Sequence, residues 1–263
     1  VASNYNQHHM RKLTCIITLI CFSQILIGQG LENYKDLINL DDKIEIVKSN
    51  IREIKTVDLS KFWTNNPIER RYGFIGSDYR RLDIKFLSII KNPDNPTQYF
   101  VYGKSRASKN ICEFQGLIEI KESYYIQSLE YFNGNSGLIA GEYTFYETPD
   151  TEHTGKFMGI FVTYWTKSDT EEFKYLKLPA IEGNNQFLGT WTGYEKTDGI
   201  TANWGDRRVP DSGDLDVGTS EFGINRKYQQ YGWDSFIKAF GGGFDNETTE
   251  KAREAELTKW WKE

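Results

Sequence analysis

Residues 138–165 constrain the fold more than any other stretch of the chain. Leu138-Ile-Ala-Gly-Glu-Tyr-Thr-Phe-Tyr-Glu147 is followed by a polar run containing Pro149 and Asp150. Gly155-Lys-Phe-Met-Gly-Ile-Phe-Val-Thr-Tyr-Trp165 comes next. Two runs rich in aromatic and β-branched residues around a Pro/Asp loop predict a long β-hairpin. In its second strand Phe157, Gly159, Phe161, Thr163 and Trp165 share one face, and Met158, Ile160, Val162 and Tyr164 share the other. Both faces are apolar, so this strand is expected to be covered on both sides, at the centre of an antiparallel sheet.

The same strand-and-turn rhythm runs through residues 80–196. Segments 82–90, 99–104, 111–120 and 124–131 precede the hairpin, and 173–178 and 187–194 follow it, divided by turns such as Asn92-Pro-Asp-Asn-Pro96. No helix separates them, so consecutive strands pair as antiparallel neighbours. The expected fold is mainly β: an up-and-down meander of about eight strands that closes into a barrel, since closure removes exposed edges. Gly155-Lys-Phe-Met-Gly159 and Gly189-Thr-Trp-Thr-Gly193 repeat a Gly-x-aromatic-x-Gly pattern, which predicts tight bends in a curved sheet.

The flanking regions read differently. Residues 1–30 are set apart: Met10-Arg-Lys12, an apolar run over 13–27 and Gly28-Gln-Gly30 form the three-part pattern of a secretory signal peptide, with Val1–His9 upstream of it. The apolar run is shorter than the roughly twenty residues a membrane span needs. The expected product carries no transmembrane span and is exported to the periplasm, the cell surface or the extracellular space. Residues 31–79 read as N-terminal strands, with surface strands at 43–47 and 51–57, and an ordered loop at 61–78 leading into the barrel. Residues 197–263 form the last segment. An Asp/Gly-rich loop spans 197–224, and helices are expected at 225–240 and 247–262, with the glycines at 241–243 as a stop signal.

Composition removes several chemistries. Cys15 and Cys21 lie in the leader, which leaves Cys112 alone and an exported chain without an internal disulfide. Three histidines occur in the chain, and His153 is the one outside the leader region; it is expected in a solvated loop, and a three-histidine zinc site cannot form. A net charge of −5 supplies no basic field for nucleic acid. No phosphate loop or dinucleotide fingerprint occurs.

Leu188-Gly189-Thr190-Trp191 resembles the Gly-x-Trp strand motif of the calycins, the lipocalin and avidin group of ligand-holding barrels. The resemblance implies an eight-stranded barrel with Trp191 packed at one end and a ligand in the mouth. It departs from that family in position, since the motif opens the first strand there and lies three-quarters along the chain here.

Candidate ligand-binding residues are Trp191, Trp165, Tyr143, Phe157 and Trp204, because rings with a few polar groups line apolar pockets and sugar platforms. Asp206 and Arg207 join them from the 197–224 loop, expected as the rim. Asp206, Asp211, Asp214, Asp216 and Glu221 crowd together; Asp214, Asp216 and Glu221 are the candidate ligands for calcium, although the complete calcium-loop spacing is absent. No catalytic residue is assigned. The expected function is that of an exported, non-catalytic binding or interaction barrel for a small apolar or sugar-like ligand, or for a protein partner. The alternatives are a secreted glycan hydrolase using an Asp/Glu pair, which requires two facing carboxylates, and a structural surface protein with a filled core.

Overall fold

The computed structural model describes residues 44–64, 70–128, 135–149, 152–178, 183–242 and 246–262. The leader expected at 1–30 lies outside the described residues. Ten strands form one antiparallel sheet: β1 (Ile44–Ser49), β2 (Arg71–Ile75), β3 (Arg80–Lys91), β4 (Gln98–Ala107), β5 (Asn110–Ser128), β6 (Ser136–Glu147), β7 (Gly155–Lys167), β8 (Phe173–Tyr175), β9 (Asn184–Gly193) and β10 (Ile200–Asp206). Eight of them close as β2-β3-β4-β5-β6-β7-β9-β10, each hydrogen-bonded to the next, with β10 returning to β2. This is the expected closed meander, mainly β with helices at its C-terminal end. β1 pairs with the far half of β5, and β8 pairs with the end of β7.

The membership of the ring differs from the sequence expectation in three places. The barrel runs from Arg71 to Asp206 rather than over 80–196, because β2 and β10 lie in segments expected as loops. Both are short, and both sides of β2 pack against something: Gly73 faces inward, while Tyr72 and Phe74 face an outer cluster. A five-residue strand covered on both sides offers no apolar/polar alternation to detect. Second, 111–120 and the described part of 124–131, which ends at Ser128, are halves of the single strand β5, bent where its register shifts between Ile120 and Glu122. Third, residues 173–178 supply only the three-residue β8, outside the ring. At 51–57 the expected strand is instead the short helix α1 (Ile51–Ile54), and α2 (Lys61–Thr64) occupies part of the expected loop.

The two glycine repeats face each other across the β7–β9 ladder: Gly155 pairs with Gly193, Phe157 with Trp191 and Gly159 with Gly189. Their small residues let β7 and β9 approach closely as the wall curves. A Cβ on Gly159 would stand 2.0 Å from the Leu188 carbonyl oxygen, and one on Gly189 would stand 2.6 Å from the Tyr143 hydroxyl.

Inward-facing rings fill the middle of the barrel. Phe187 stacks on Trp204 with centroids 5.1 Å apart, Tyr143 meets Trp204 edge-on at 5.2 Å, and Phe114 stacks on Phe145 at 5.0 Å. One end is plugged by α1, α2 and the turn between them. Trp63 enters among Tyr99 and Phe161, and its indole donates to Thr163 Oγ1 at 3.1 Å. Asn185 Nδ2 donates to the Phe62 carbonyl at 2.8 Å and to Asp206 at 2.6 Å, so the plug is tied to the wall by polar as well as apolar contacts.

The outer side of β2 is covered by the segment after β10, a 3-10 helix (Arg226–Tyr231), α3 (Asp234–Phe240) and α4 (Glu247–Leu257), ending in a 3-10 turn (Trp260–Lys262). Phe222, Trp233 and Phe236 pack on Tyr72 and Phe74 there. Arg81 clamps α4 through a bidentate pair with Glu256 at 2.7 and 2.9 Å. The β7 strand is not covered on both sides throughout: Met158 is 43% exposed, and its outer face is buried only from Val162 to Tyr164. No helix among the described residues is long and apolar enough to cross a membrane.

Gly159→Ala should cost about 1–3 kcal/mol, because the new methyl meets a backbone carbonyl that cannot move aside without shifting the strand. Met158→Ala next to it should stay within about 0.5 kcal/mol. Urea unfolding of both variants checks this; equal midpoints for the two would show that the close strand approach carries no constraint.

Candidate functional site

Opposite the plug, none of the described segments closes the barrel. The ends of β2, β4, β6 and β9 and the starts of β3, β5, β7 and β10 meet there around a cavity of about 700 Å³. Its apolar wall comes from Ile75, Leu82, Cys112, Phe157, Trp191 and Ile200. Each is the inward-facing member of its strand's alternation, so the wall follows directly from the strand register. Ser105 and Glu147 supply polar groups inside the cavity, and Asp78, Arg80, Asn110 and His153 lie towards the rim.

Glu147 is the polar centre of this site. It ends β6 on the inward side, two residues beyond Phe145 and four beyond Tyr143, and is 4% exposed. Its Oε1 accepts from Ser105 Oγ at 2.5 Å. Its Oε2 accepts from Trp191 Nε1 at 2.9 Å and from the Gly155 amide at 3.0 Å. Tyr194 Oη donates to the Glu147 carbonyl at 2.5 Å and fixes the strand end. Burial raises the Glu147 pKa above the usual carboxylate value, against the lowering effect of the Ser105, Trp191 and Gly155 hydrogen bonds. Three neutral donors hold the carboxyl in one orientation, and Oε1, with a single bond accepted from Ser105, retains capacity for another donor.

The structure divides the seven residues proposed from sequence for ligand binding. Trp191 and Phe157 line the mouth. Tyr143 and Trp204 lie deeper, fully buried in the aromatic core that forms the floor. Trp165 sits near the plugged end, edge-on to Tyr125 at 5.1 Å and to Phe173 at 4.8 Å. Asp206 is also at that end, bonded to Arg71 at 2.9 Å and to Asn185. Arg207 follows it with φ 68° and reaches the Leu178 carbonyl at 3.4 Å. Of the segment 197–224, expected to form the rim, Ile200 alone lines the mouth; β10 and the outer apolar cluster take up much of the rest. Turns at 76–79 and 107–110 and the loop at 152–154 occupy the rim instead.

The acidic residues at 206–221 are dispersed rather than gathered at one point. Asp214 is exposed and pairs with Lys227, with Tyr228 Oη donating to it at 2.6 Å. Asp216 is held by Arg208 at 2.5 Å and accepts from the amides of Gly218 and Gly223 at 3.0 Å each, while Glu221 is exposed. Asp206 lies inside the barrel wall, and Asp211 is exposed on the surface. Among the described residues, no group of three or more His, Cys, Asp or Glu side chains is placed to hold a metal ion, and the candidate ligands Asp214, Asp216 and Glu221 are not gathered into one. Their spacing in the chain reflects turns and local ion pairs.

Sequence reasoning missed Glu147. The signal was present, since a glutamate sits in phase with Tyr143 and Phe145 on an apolar strand face, and a carboxylate at an inward position of a barrel strand is costly without hydrogen-bond donors. What could not be seen was that Ser105, Trp191 and Gly155 converge on it from three other strands or their ends. His153, expected in a solvated loop, is exposed but stands at the cavity rim. Cys112 is buried in the mouth wall.

Searches against family models, curated proteins and solved structures returned no match for this chain.

Because folding raises the pKa of Glu147, the native state holds its proton more tightly than the unfolded chain. The stabilisation is complete below the unfolded value near 4.5 and is lost as pH rises through the raised folded value. Urea midpoints of the wild type should therefore fall relative to those of Glu147→Gln on going from pH 4 towards pH 8, with Gln keeping an acceptor for Trp191. Midpoints that run parallel across that range would contradict a raised pKa.

Proposed function

We propose that the chain is a ligand-holding barrel, and that its open mouth takes a small, mainly apolar molecule bearing one hydrogen-bond donor, such as a hydroxyl of a sugar-like ring, directed at Glu147 Oε1. The observation that carries this reading is the cavity of about 700 Å³ with an apolar wall and one buried, oriented carboxyl. Such a volume lies within the roughly 300–1,000 Å³ of small-molecule sites, and a few placed polar groups in an apolar wall are what such sites use for orientation. Trp191 serves twice: its ring is wall, and its N–H fixes Glu147.

The filled interior argues for a shallow, selective mouth site rather than a through-channel, because the rings of Phe145, Phe114 and Trp204 close the floor. The resemblance of Gly189-Thr-Trp191 to the calycin motif agrees with a ligand in the barrel mouth, although the motif lies on β9. The leader pattern of residues 10–30 would deliver this barrel outside the cytoplasm. A purely structural role fits less well, since it gives no reason to keep an oriented carboxyl in an open apolar cavity.

N-phenyl-1-naphthylamine, uncharged and carrying one N–H donor, is a suitable apolar probe whose emission rises in an apolar site. Wild-type protein should enhance its emission with saturable binding. Cys112→Trp, which fills the mouth, should weaken binding at least about tenfold, the effect of losing about 1.4 kcal/mol. Leu257→Ala, on an exposed site away from the mouth, should bind as the wild type does, and far-ultraviolet dichroism verifies that each variant folds. Unchanged binding by folded Cys112→Trp would overturn the mouth as the ligand site.

A further inference from the structure

A second cleft, of about 550 Å³, lies where β2, β3 and the plug meet the C-terminal turn. It shares no lining residue with the barrel mouth. Its charge differs from that of the chain. Six cationic side chains line it, Arg70, Arg71, Arg81, Lys85, Arg106 and Lys259, against the three acids Asp83, Asp206 and Glu256, whereas the whole protein carries −5.

Each of those acids is already bound by an arginine. Arg71 holds Asp206 at 2.9 Å; Asp83 is bracketed by Arg81 at 3.0 Å and Arg106 at 2.7 Å; Glu256 takes the other edge of Arg81. Lys85, Lys259 and Arg70 are left over, with no carboxylate within ion-pair distance among the described residues. Lys85 is half-buried on the cleft wall, its ammonium 4.9 Å from the centroid of the Trp261 ring. Arg70 and Lys259 are exposed at the edge, and the Arg70 guanidinium lies 4.0 Å from the Phe240 centroid.

Arg71 and Lys259 both line this cleft and both repel the Lys85 ammonium. Burial lowers the Lys85 pKa first, and Arg71 and Lys259 lower it further, opposed only by Asp206. A partly desolvated ammonium beside two other cations is a costly arrangement unless something negative joins it. Aromatic rings restrain two of them, Lys85 over Trp261 and Arg71 over Phe86 at 4.8 Å, because a cation over a ring face is attracted to it.

We propose that this cleft binds an oxyanion of the phosphate or sulfate kind, held by Lys85 and Arg71 on its wall and by Lys259 and Arg70 at its edge. A tetrahedral oxyanion suits the set: it accepts charge-assisted hydrogen bonds from several directions, and guanidinium and ammonium groups both serve it. The indoles of Trp260 and Trp261 on the same wall leave room for an organic group attached to the phosphate.

Titration calorimetry with inorganic phosphate and with phenyl phosphate tests this, each run against sodium chloride at matched ionic strength. Saturable heat with phosphate and none with chloride is expected. Tighter binding of phenyl phosphate would identify a phosphate monoester as the ligand type, and equal binding would identify the free ion. Lys85→Met, which keeps the apolar stem, should weaken binding at least about tenfold, as expected for loss of one charge-assisted bond. Lys85→Arg should restore it, and both variants should bind uncharged N-phenyl-1-naphthylamine at the barrel mouth as the wild type does. Heats equal to those with chloride, or undiminished phosphate binding by folded Lys85→Met, would overturn the assignment.

Discussion

Five residue pairs, from Ala202 opposite Ile75 to Asp206 opposite Arg71, join the last strand of the barrel to the first. This ladder turns a meander into a closed wall. Without it β2 and β10 would be open edges exposing unpaired N–H and C=O groups, and the aromatic residues of the inner face would lack an opposite side to pack on. Closure also decides what is inside: Trp204 reaches Phe187, Tyr143 and Phe157 because β10 is drawn beside β9 and opposite β6. The short Gly73 makes the seam possible, since a Cβ there would stand 2.8 Å from both the Leu82 carbonyl oxygen and the Trp204 Cβ.

The two ends of this wall are built differently. At one, Trp63 and its neighbours fill the opening, and a buried polar chain from Trp63 through Thr163 and Asn185 to Asp206 and Arg71 satisfies the groups they bring in. The members of this chain satisfy one another, as buried polar groups inside a barrel require, whereas Trp165 Nε1 and Asn50 Nδ2 at the same end are buried without a hydrogen-bond partner among the described residues. At the other end none of the described segments enters, and the last inward layer, with Glu147 and Trp191, faces a cavity. The asymmetry gives the barrel a single mouth.

The outer helices stabilise the seam from the far side. Phe222, Trp233 and Phe236 cover Tyr72 and Phe74, so β2 is packed on both faces although it has only five residues. The ion network of Arg81, Asp83, Arg106 and Glu256 then joins α4 to β3 and β4. Arg81 is half-buried, and against the lowering effect of burial Asp83 and Glu256 raise its pKa, so the network is expected to hold one arrangement rather than several.

Much of this architecture was legible in the chain. Alternating aromatic and β-branched runs with Asn/Pro/Gly turns and no intervening helix determine antiparallel neighbours, because side-chain period and loop length admit few other pairings. The Gly-x-aromatic-x-Gly repeats announced curvature, and Trp191 and Phe157 were recognisable as candidate ligand-site rings. Tertiary structure alone decided the rest. β2 carries no period that marks a strand, and in β10 the alternation of Ile200, Ala202 and Trp204 with Thr201 and Asn203 is short and set in an Asp/Gly-rich stretch, so both become strands because a partner and a cover are available. The acidic residues at 206–221 look like a ligand group in the sequence, yet local ion pairs and backbone turns disperse them. Glu147 acquires its setting from Ser105, Trp191 and Gly155, up to 44 positions away in the chain. Distances of that kind follow from ring closure and strand register, which neighbouring residues along a chain do not encode.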